Sequence, residues 1–167
     1  PPTLEYVPRR GWGGVFWNLH PTFTKQWWDR FAEVYDETHG RALKPGEKRT
    51  LVRCVCVADT HEEAVARVRP GHDEMWKFLG QYGWSKGYMG SDGRPVKPGL
   101  IPSLEESMEQ QIWLVGTADK VGEQIEWYRE LLGVENLLLF PMMPGDSYEA
   151  GEDQAHRIAT DILPKFD

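Results

Sequence analysis

Phe16, Trp17 and Asn18 close a short apolar run, and His20 follows two residues later. At the mouth of a strand such a set has chemical uses. An aromatic ring can stack on a flat cofactor, a primary amide can bond its polar edge, and an imidazole can shuttle a proton near neutral pH. Farther along, Phe140 and Met142 end a second apolar run and could wall a pocket for an apolar or aromatic substrate. Trp84 stands in a stretch rich in glycine and proline, where packing explains it least. Each of these residues also has a plainer reading. Phe16, Trp17, Phe140 and Met142 are ordinary core types, and a histidine just before a helix often caps it or bonds a loop carbonyl.

Other chemistries find little support. His61-Glu62-Glu63 and His72-Asp73-Glu74 look metal-like, but neither has a second histidine at helical ligand spacing, so no metal site is expected. There is no Gly-x-Gly-x-x-Gly, no Walker loop and no Gly-x-Ser-x-Gly elbow. Gly11-Trp12-Gly13-Gly14 precedes a strand instead of following one, which is the wrong order for a phosphate cradle. Cys54 and Cys56 point the same way along a strand, cannot form an ordinary disulfide with each other, and read as buried reduced thiols of a cytoplasmic protein. Arg53, between them, needs a carboxylate partner or an outward-facing position.

The 167 residues suffice for one domain with a real core, and 40% hydrophobic and 27% charged residues are usual for a globular protein. A net charge of -7 without a basic block argues against nucleic acid and anionic membrane as partners. No apolar run approaches the ~20 residues of a membrane helix, and no signal peptide is visible.

The elements that would position these residues alternate. Gly13 to Leu19 reads as a buried strand, followed by a helix from Thr22 or Thr24 to about His39, ended by Gly40. Thr50 to Ala58 is a β-branched strand. Thr60-x-x-Glu63 forms a capping box for a helix reaching about Leu79, which Pro70-Gly71 should interrupt or kink. Residues 80 to 102 break the rhythm with repeated Gly and Pro, as a lid or binding loop would. Ser103-x-x-Glu106 caps a short helix, and Ile112 to Val115 is a brief apolar stretch. Gly116-Thr117 opens a helix whose Val121, Ile125, Tyr128 and Leu132 form one stripe, and Gly133 closes it. Asn136 to Met143 is the last strand. Asp146-Ser147-x-Glu149 caps a final helix, with Ala155, Ile158, Ala159, Ile162 and Phe166 expected inward. Strands alternating with helices imply α/β structure with a parallel sheet. Three strong strands are too few for a closed barrel and leave two bare edges.

Taken together these segments resemble the C-terminal portion of the bacterial luciferase-like flavin monooxygenases. The most specific stretch is Val115-Gly116-Thr117-Ala118-Asp119-Lys120-Val121-Gly122-Glu123-Gln124-Ile125, followed at the family's spacing by Leu132-Gly133-Val134-Glu135-Asn136-Leu137-Leu138-Leu139. Ile162-Leu163-Pro164-Lys165-Phe166 matches the family's usual ending, and Val57-Ala58-Asp59-Thr60-x-Glu62-Glu63-Ala64 resembles an earlier strand and its helix. The resemblance implies the last units of a (β/α)8 TIM barrel, with residues 80–111 as a mobile lid. It implies reduced FMN and oxygen acting on a small organic substrate, with a flavin reductase as partner. By the same analogy Phe16, Trp17 and Asn18 line the flavin pocket, His20 is the candidate catalytic group, and Trp84, Phe140 and Met142 form the substrate pocket and lid. The N-terminal barrel units, with the family's phosphate-binding segment and main catalytic positions, are expected to lie outside this sequence. The chain alone is therefore expected to be inactive and to need those units, or a second copy in a homodimer, to cover its edges. Two rival readings share the sequence: a deazaflavin F420-dependent oxidoreductase of the same fold, and a non-catalytic flavin-binding or accessory paralogue.

Overall fold

A computed structural model describes residues 2–166. Its elements are α1 (Thr3–Arg9), β1 (Gly14–Trp17), α2 (Pro21–His39), β2 (Arg49–Val57), α3 (His61–Leu79), α4 (Leu104–Glu109), β3 (Trp113–Gly116), α5 (Ala118–Leu132), β4 (Asn136–Phe140) and α6 (Tyr148–Arg157). The sheet is parallel throughout, as the alternation of strands and helices requires. It holds four strands, one more than the sequence reading counted, because the brief apolar stretch near residue 113 is itself a strand.

Strand β2 is the hub. Its residues Thr50 to Val52 pair with Val15–Trp17 on one side and with Asn136–Leu138 on the other, so β1 and β4 flank it. Its last four residues, Cys54 to Val57, pair with β3. All nine residues of β2 are buried except Thr50, which is half-buried, as expected of a strand covered on both faces.

The two faces are covered unequally. On one face Phe16, Leu51, Val55, Val57 and Leu114 pack against Trp28 and Phe31 of α2, against Val121, Ile125, Tyr128 and Leu132 of α5, and against Ile162. On the other face Cys54, Cys56, Trp113 and Val115 meet Ala64, Val68, Met75, Trp76 and Leu79 of α3, with Leu104 and Tyr88. That second cover reaches only the C-terminal half of the sheet.

The chain's punctuation works as its chemistry dictates. Thr60 with Glu63, and Ser103 with Glu106, form complete capping boxes, and Thr117 and Ser147 cap α5 and α6. Gly40 and Gly133 end α2 and α5 in the left-handed conformation. Two details depart from expectation. Helix α3 runs through Pro70 without a break, and Gly71 lies so close to Met143 that any side chain there would collide with it. In the last helix Ala155 and Ala159 are exposed, whereas Gly151 and Gln154 are buried. The Gln154 amide both donates to and accepts from the backbone of Val57 at 2.8 Å, pinning α6 to the end of β2.

Candidate functional site

The C-terminal end of β1 is where several sequence candidates meet. Trp17 tilts against Trp84 with ring centroids 5.3 Å apart. Both line a cavity of about 360 Å³ along the free edge of β1, together with Gly13, Gly14, Val15, Phe16 and Leu19 and residues of α1 and α2. Phe16 reaches it from the opposite face, edge-on to Trp28 and Phe31, and is mainly a core residue. No Lys or Arg lines this cavity.

Asn18 lies directly after Trp17. Its backbone is left-handed, with φ 52°, a conformation asparagine tolerates better than most residues. Its side chain is buried, yet neither the amide oxygen nor the amide nitrogen has a hydrogen-bond partner. An orphaned buried amide is rare and costs about 1–3 kcal/mol.

Above these residues sits the Gly/Pro-rich segment, which is more ordered than a plain loop. It makes short 3-10 turns at Gly80–Tyr82 and Trp84–Gly87, then a bridge between Met89 and Pro95. The second turn rests on β1: the His20 backbone N–H donates to the Gly87 carbonyl at 2.6 Å. A Cβ on Gly87 would overlap the Asn18 carbonyl oxygen, so only glycine permits this approach.

A buried network ties the same segment to the body of the protein. His72 Nδ1 is hydrogen-bonded to the Asp73 carboxylate at 3.0 Å. Nε2 is hydrogen-bonded to Ser107 Oγ at 2.9 Å, and Ser107 Oγ also pairs with the Tyr88 phenol at 2.7 Å and donates to the Ser103 carbonyl at 2.9 Å. This Asp–His–Ser order resembles a hydrolase triad, but Ser107 and Tyr88 are buried in the core and line neither this cavity nor the one beside His20. It is a latch joining α3, α4 and the lid-like segment. Sequence reading considered His72 only as a metal ligand and missed it, because the partners Ser107 and Tyr88 are distant in the chain.

Burial holds the His72 pKa below its ordinary value of 6.5, and burial followed by the Arg53 charge does the same for His20. Both are therefore neutral in the fold at neutral pH. Below about 6.5 the unfolded chain binds protons that the folded one refuses, so stability must fall with falling pH. Denaturant midpoints should drop between pH 7.5 and 5.5, and His72→Gln should flatten that slope. An unchanged slope in His72→Gln would remove His72 from this role.

His20 itself caps α2: the Thr22 N–H donates to its Nδ1 at 3.2 Å. Its ring lines a different cavity, of about 440 Å³, with Lys25, Asp29, Gln111 and Trp127. The structure thus separates His20 from the cavity that Trp17 lines, while Asn18 lines neither. Phe140 and Met142 are exposed. Phe140 shares the sheet face of Trp17, across β2, since Val52 and Cys54 pair with Leu138 and Phe140 while Trp17 pairs with Val52. Met142 lies beyond the strand, against Gly151.

Arg53 neither meets a carboxylate nor faces outward. It is fully buried, and its Nε, Nη1 and Nη2 donate to the Tyr128 phenol and to the carbonyls of Val52 and Leu19, each at 3.0 Å. Its guanidinium lies 4.7 Å from the Tyr128 ring centre, and the Tyr128 phenol donates to the Gln111 carbonyl at 2.5 Å. Arg53 thereby fixes the chain just after Asn18. Burial pushes the Cys54 thiol up to about 12 and Cys56 to about 11, so neither supplies a thiolate near neutral pH.

No family model matches the chain, and no curated protein matches it. Solved structures do. The oxygenating constituent of 3,6-diketocamphane monooxygenase from Pseudomonas putida, a type II Baeyer–Villiger monooxygenase in complex with FMN, aligns over 98% of this chain and 45% of its own, with a TM-score of 0.72 and 20% identity. Monooxygenase RslO1 from Streptomyces bottropensis aligns over 100% of this chain and 46% of its own, with a TM-score of 0.71 and 15% identity. Long-chain alkane monooxygenase LadA aligns over 97% of this chain and 38% of its own, with a TM-score of 0.59 and 18% identity. The chain spans under half the length of each. At these identities the likeness is one of fold: the chain has the fold of the luciferase-like flavin monooxygenases, over a little less than half of their barrel.

Proposed function

We propose that this chain contributes the FMN ring site of a luciferase-like monooxygenase acting on a small apolar organic substrate. The observation that carries this reading is the Trp17–Trp84 pair lining a cavity at the C-terminal mouth of a parallel strand, with the unpartnered buried amide of Asn18 next in the chain to Trp17. Barrel enzymes place their chemistry at that end of the strands. An amide with a free donor and a free acceptor complements the polar edge of an isoalloxazine, and the tryptophans complement its apolar face.

The fit covers the ring and stops there. With no cation lining the cavity, nothing in it holds a phosphate tail. Bound FMN would supply the redox chemistry with oxygen. The chain's own residues would do the rest: Trp17 and Trp84 stack, Asn18 orients, and the Trp84–Gly87 turn excludes water. Leu138 and Phe140, on the same face, offer an apolar wall to the substrate. The segment 80–111 serves as the lid, and reduced flavin comes from a separate reductase. His20 has no catalytic part in this reading, because its ring caps α2 and opens to another cavity.

Flavin titration followed by quenching of flavin fluorescence tests the site. Trp17→Ala and Asn18→Gly, the latter keeping the left-handed backbone, should each weaken FMN binding about tenfold or more, roughly one lost hydrogen bond or stacking contact. Riboflavin should bind within about threefold of FMN, because no cation reads the phosphate. Unchanged affinity in both variants would sink the assignment. Oxygen consumption during turnover separates this reading from the F420-dependent alternative, which moves hydride without oxygen.

A further inference from the structure

We infer that the cavity beside His20, between α2 and α5, is a second small-molecule site, and that it takes a small aromatic carboxylate. It is separate from the cavity that Trp17 and Trp84 line, and the inference does not rest on the flavin reading.

The cavity measures about 440 Å³, and its walls come from the start of α2, the turn before β3 and the second half of α5. That volume suits a small ligand. Its inner wall carries donors with nothing to donate to. The Thr22 backbone N–H can only donate, so His20 Nδ1 accepts from it, and the proton of the neutral ring sits on Nε2. Nε2 has no partner among the described residues. Gln111, half-buried like His20, holds a left-handed backbone with φ 58°, which is uncommon outside glycine. Its amide oxygen accepts from Gln124 Nε2 at 2.7 Å, and its amide nitrogen is left without a partner among the described residues. Strained backbone persists only where neighbours hold it, and here the Tyr128 phenol grips the Gln111 carbonyl.

Those donors call for an acceptor, and the charge behind them calls for an anionic one. Arg53 bonds the Leu19 carbonyl, next in the chain to His20, and the Tyr128 phenol that reaches Gln111. It is a buried cation whose partners are all neutral, and its field is weakened less there than it would be in water. The charges at the rim do not cancel it. Lys25 and Asp29 pair with each other at 2.8 Å, and Glu109 is exposed to water and salt that screen it. The remaining wall is apolar: the half-exposed indole of Trp127 and the side chain of Leu131 offer a flat face to an aromatic body. A carboxylate at the inner wall, with its ring against Trp127, meets all of these groups. An amine of the same shape would set its charge against Arg53 and its N–H groups against other donors.

Nuclear magnetic resonance on the isotope-labelled, flavin-free protein tests the inference, with benzoate as the probe. Benzoate should bind with a Kd of about 1 mM or tighter, as befits a fragment of its size. The resonances that move most should be the Trp127 indole N–H and the Gln111 side-chain amide. Benzylamine, with a similar ring and the opposite charge, should bind about tenfold more weakly or worse. His20→Asn keeps a capping oxygen for the Thr22 N–H but removes the Nε2 donor. Trp127→Ala removes the flat wall at an exposed position. Each should weaken benzoate about fivefold or more, with an unchanged circular dichroism spectrum. Trp84→Ala, in the other cavity, should bind benzoate like the wild type. The inference is overturned if benzoate at about 10 mM moves neither the Trp127 nor the Gln111 resonance. It is equally overturned if the shifts gather at Trp17 and Trp84, if benzylamine binds as tightly as benzoate, or if both His20→Asn and Trp127→Ala leave benzoate affinity unchanged. Because no flavin is present, each of these results leaves the flavin assignment to its own test.

Discussion

Replacing Arg53 by methionine should destabilise the protein by about 3–5 kcal/mol, the sum expected for several buried acceptors losing their donor. That corresponds to a melting temperature lower by roughly 10 °C for a chain of this size. One effect works in the opposite direction: burying an unpaired guanidinium is costly, and apolar replacements of buried charges can stabilise proteins. Such gains arise when a whole charged set is exchanged for a packed one. Here a single change leaves the carbonyls of Leu19 and Val52 and the phenol of Tyr128 in place and dry. Arg53→Lys should recover less than half of the loss, since one ammonium cannot reproduce a fork aimed at three acceptors. Tyr128→Phe removes only one node and should cost about 1–2 kcal/mol. A melt of Arg53→Met within about 2 °C of the wild type would mean that water or another acceptor already solvates this arginine. The consequence for the site is direct, because Leu19 follows Asn18 and its carbonyl is one of the three acceptors that Arg53 holds.

Gly87→Ala should open the lid-like segment. The new methyl would meet backbone atoms of Asn18 and Leu19, which no rotamer change can move aside. The Trp84–Gly87 turn must lift, breaking the 2.6 Å bond from the His20 N–H to the Gly87 carbonyl and parting Trp84 from Trp17. The cost should be about 1–3 kcal/mol, typical of overpacking. The global melt should change less than in Arg53→Met, because the Tyr88–Ser107–His72 latch still holds the segment one residue later. Limited proteolysis is the sensitive readout: cleavage within residues 80–102 should speed up by about tenfold or more, as expected when local opening becomes about 1.4 kcal/mol easier. Tryptophan emission should shift to the red as Trp84 and Trp17 gain water. Equal cleavage rates in wild type and variant would show that the turn does not seal β1 in solution.

The two results together would separate a rigid base from a movable cover. Arg53 holds the base of the mouth through neutral partners, whereas Gly87 permits a close but replaceable contact from above.

Much of this was legible in the residues. The helix starts at Thr60, Ser103, Thr117 and Ser147 follow from hydroxyls that satisfy orphan amides locally, and Gly40 and Gly133 stop helices for an equally local reason. The β-branched run of β2 and the stripe of α5 follow from periodicity, because burial recurs with the repeat of the element itself. The flavin role for Phe16, Trp17 and Asn18 came from a resemblance; the unpartnered state of the buried Asn18 amide is a tertiary feature that no local pattern carries.

The remainder depended on contacts that the local pattern does not carry. Strand β3 is only four residues long and is recognisable through its pairing with Cys54–Val57. Helix α3 passes Pro70, where local chemistry argues for a break. Its packing against β3, through Trp76, Met75 and their neighbours, keeps it together. His20 looked like a group for proton transfer until its Nδ1 was found accepting from Thr22, and His72 looked like a stray ligand until Ser107 and Tyr88 folded onto it. Arg53 lacked any visible partner, since its acceptors are two backbone carbonyls and a phenol 75 residues away. Sequence thus determined three of the four strands, most of the helices, their order and their parallel sense, because these arise from interactions within a turn or two of the chain. Tertiary structure alone decided which polar groups are satisfied and which face stays bare, because those depend on residues that only the fold brings within 3 Å of one another.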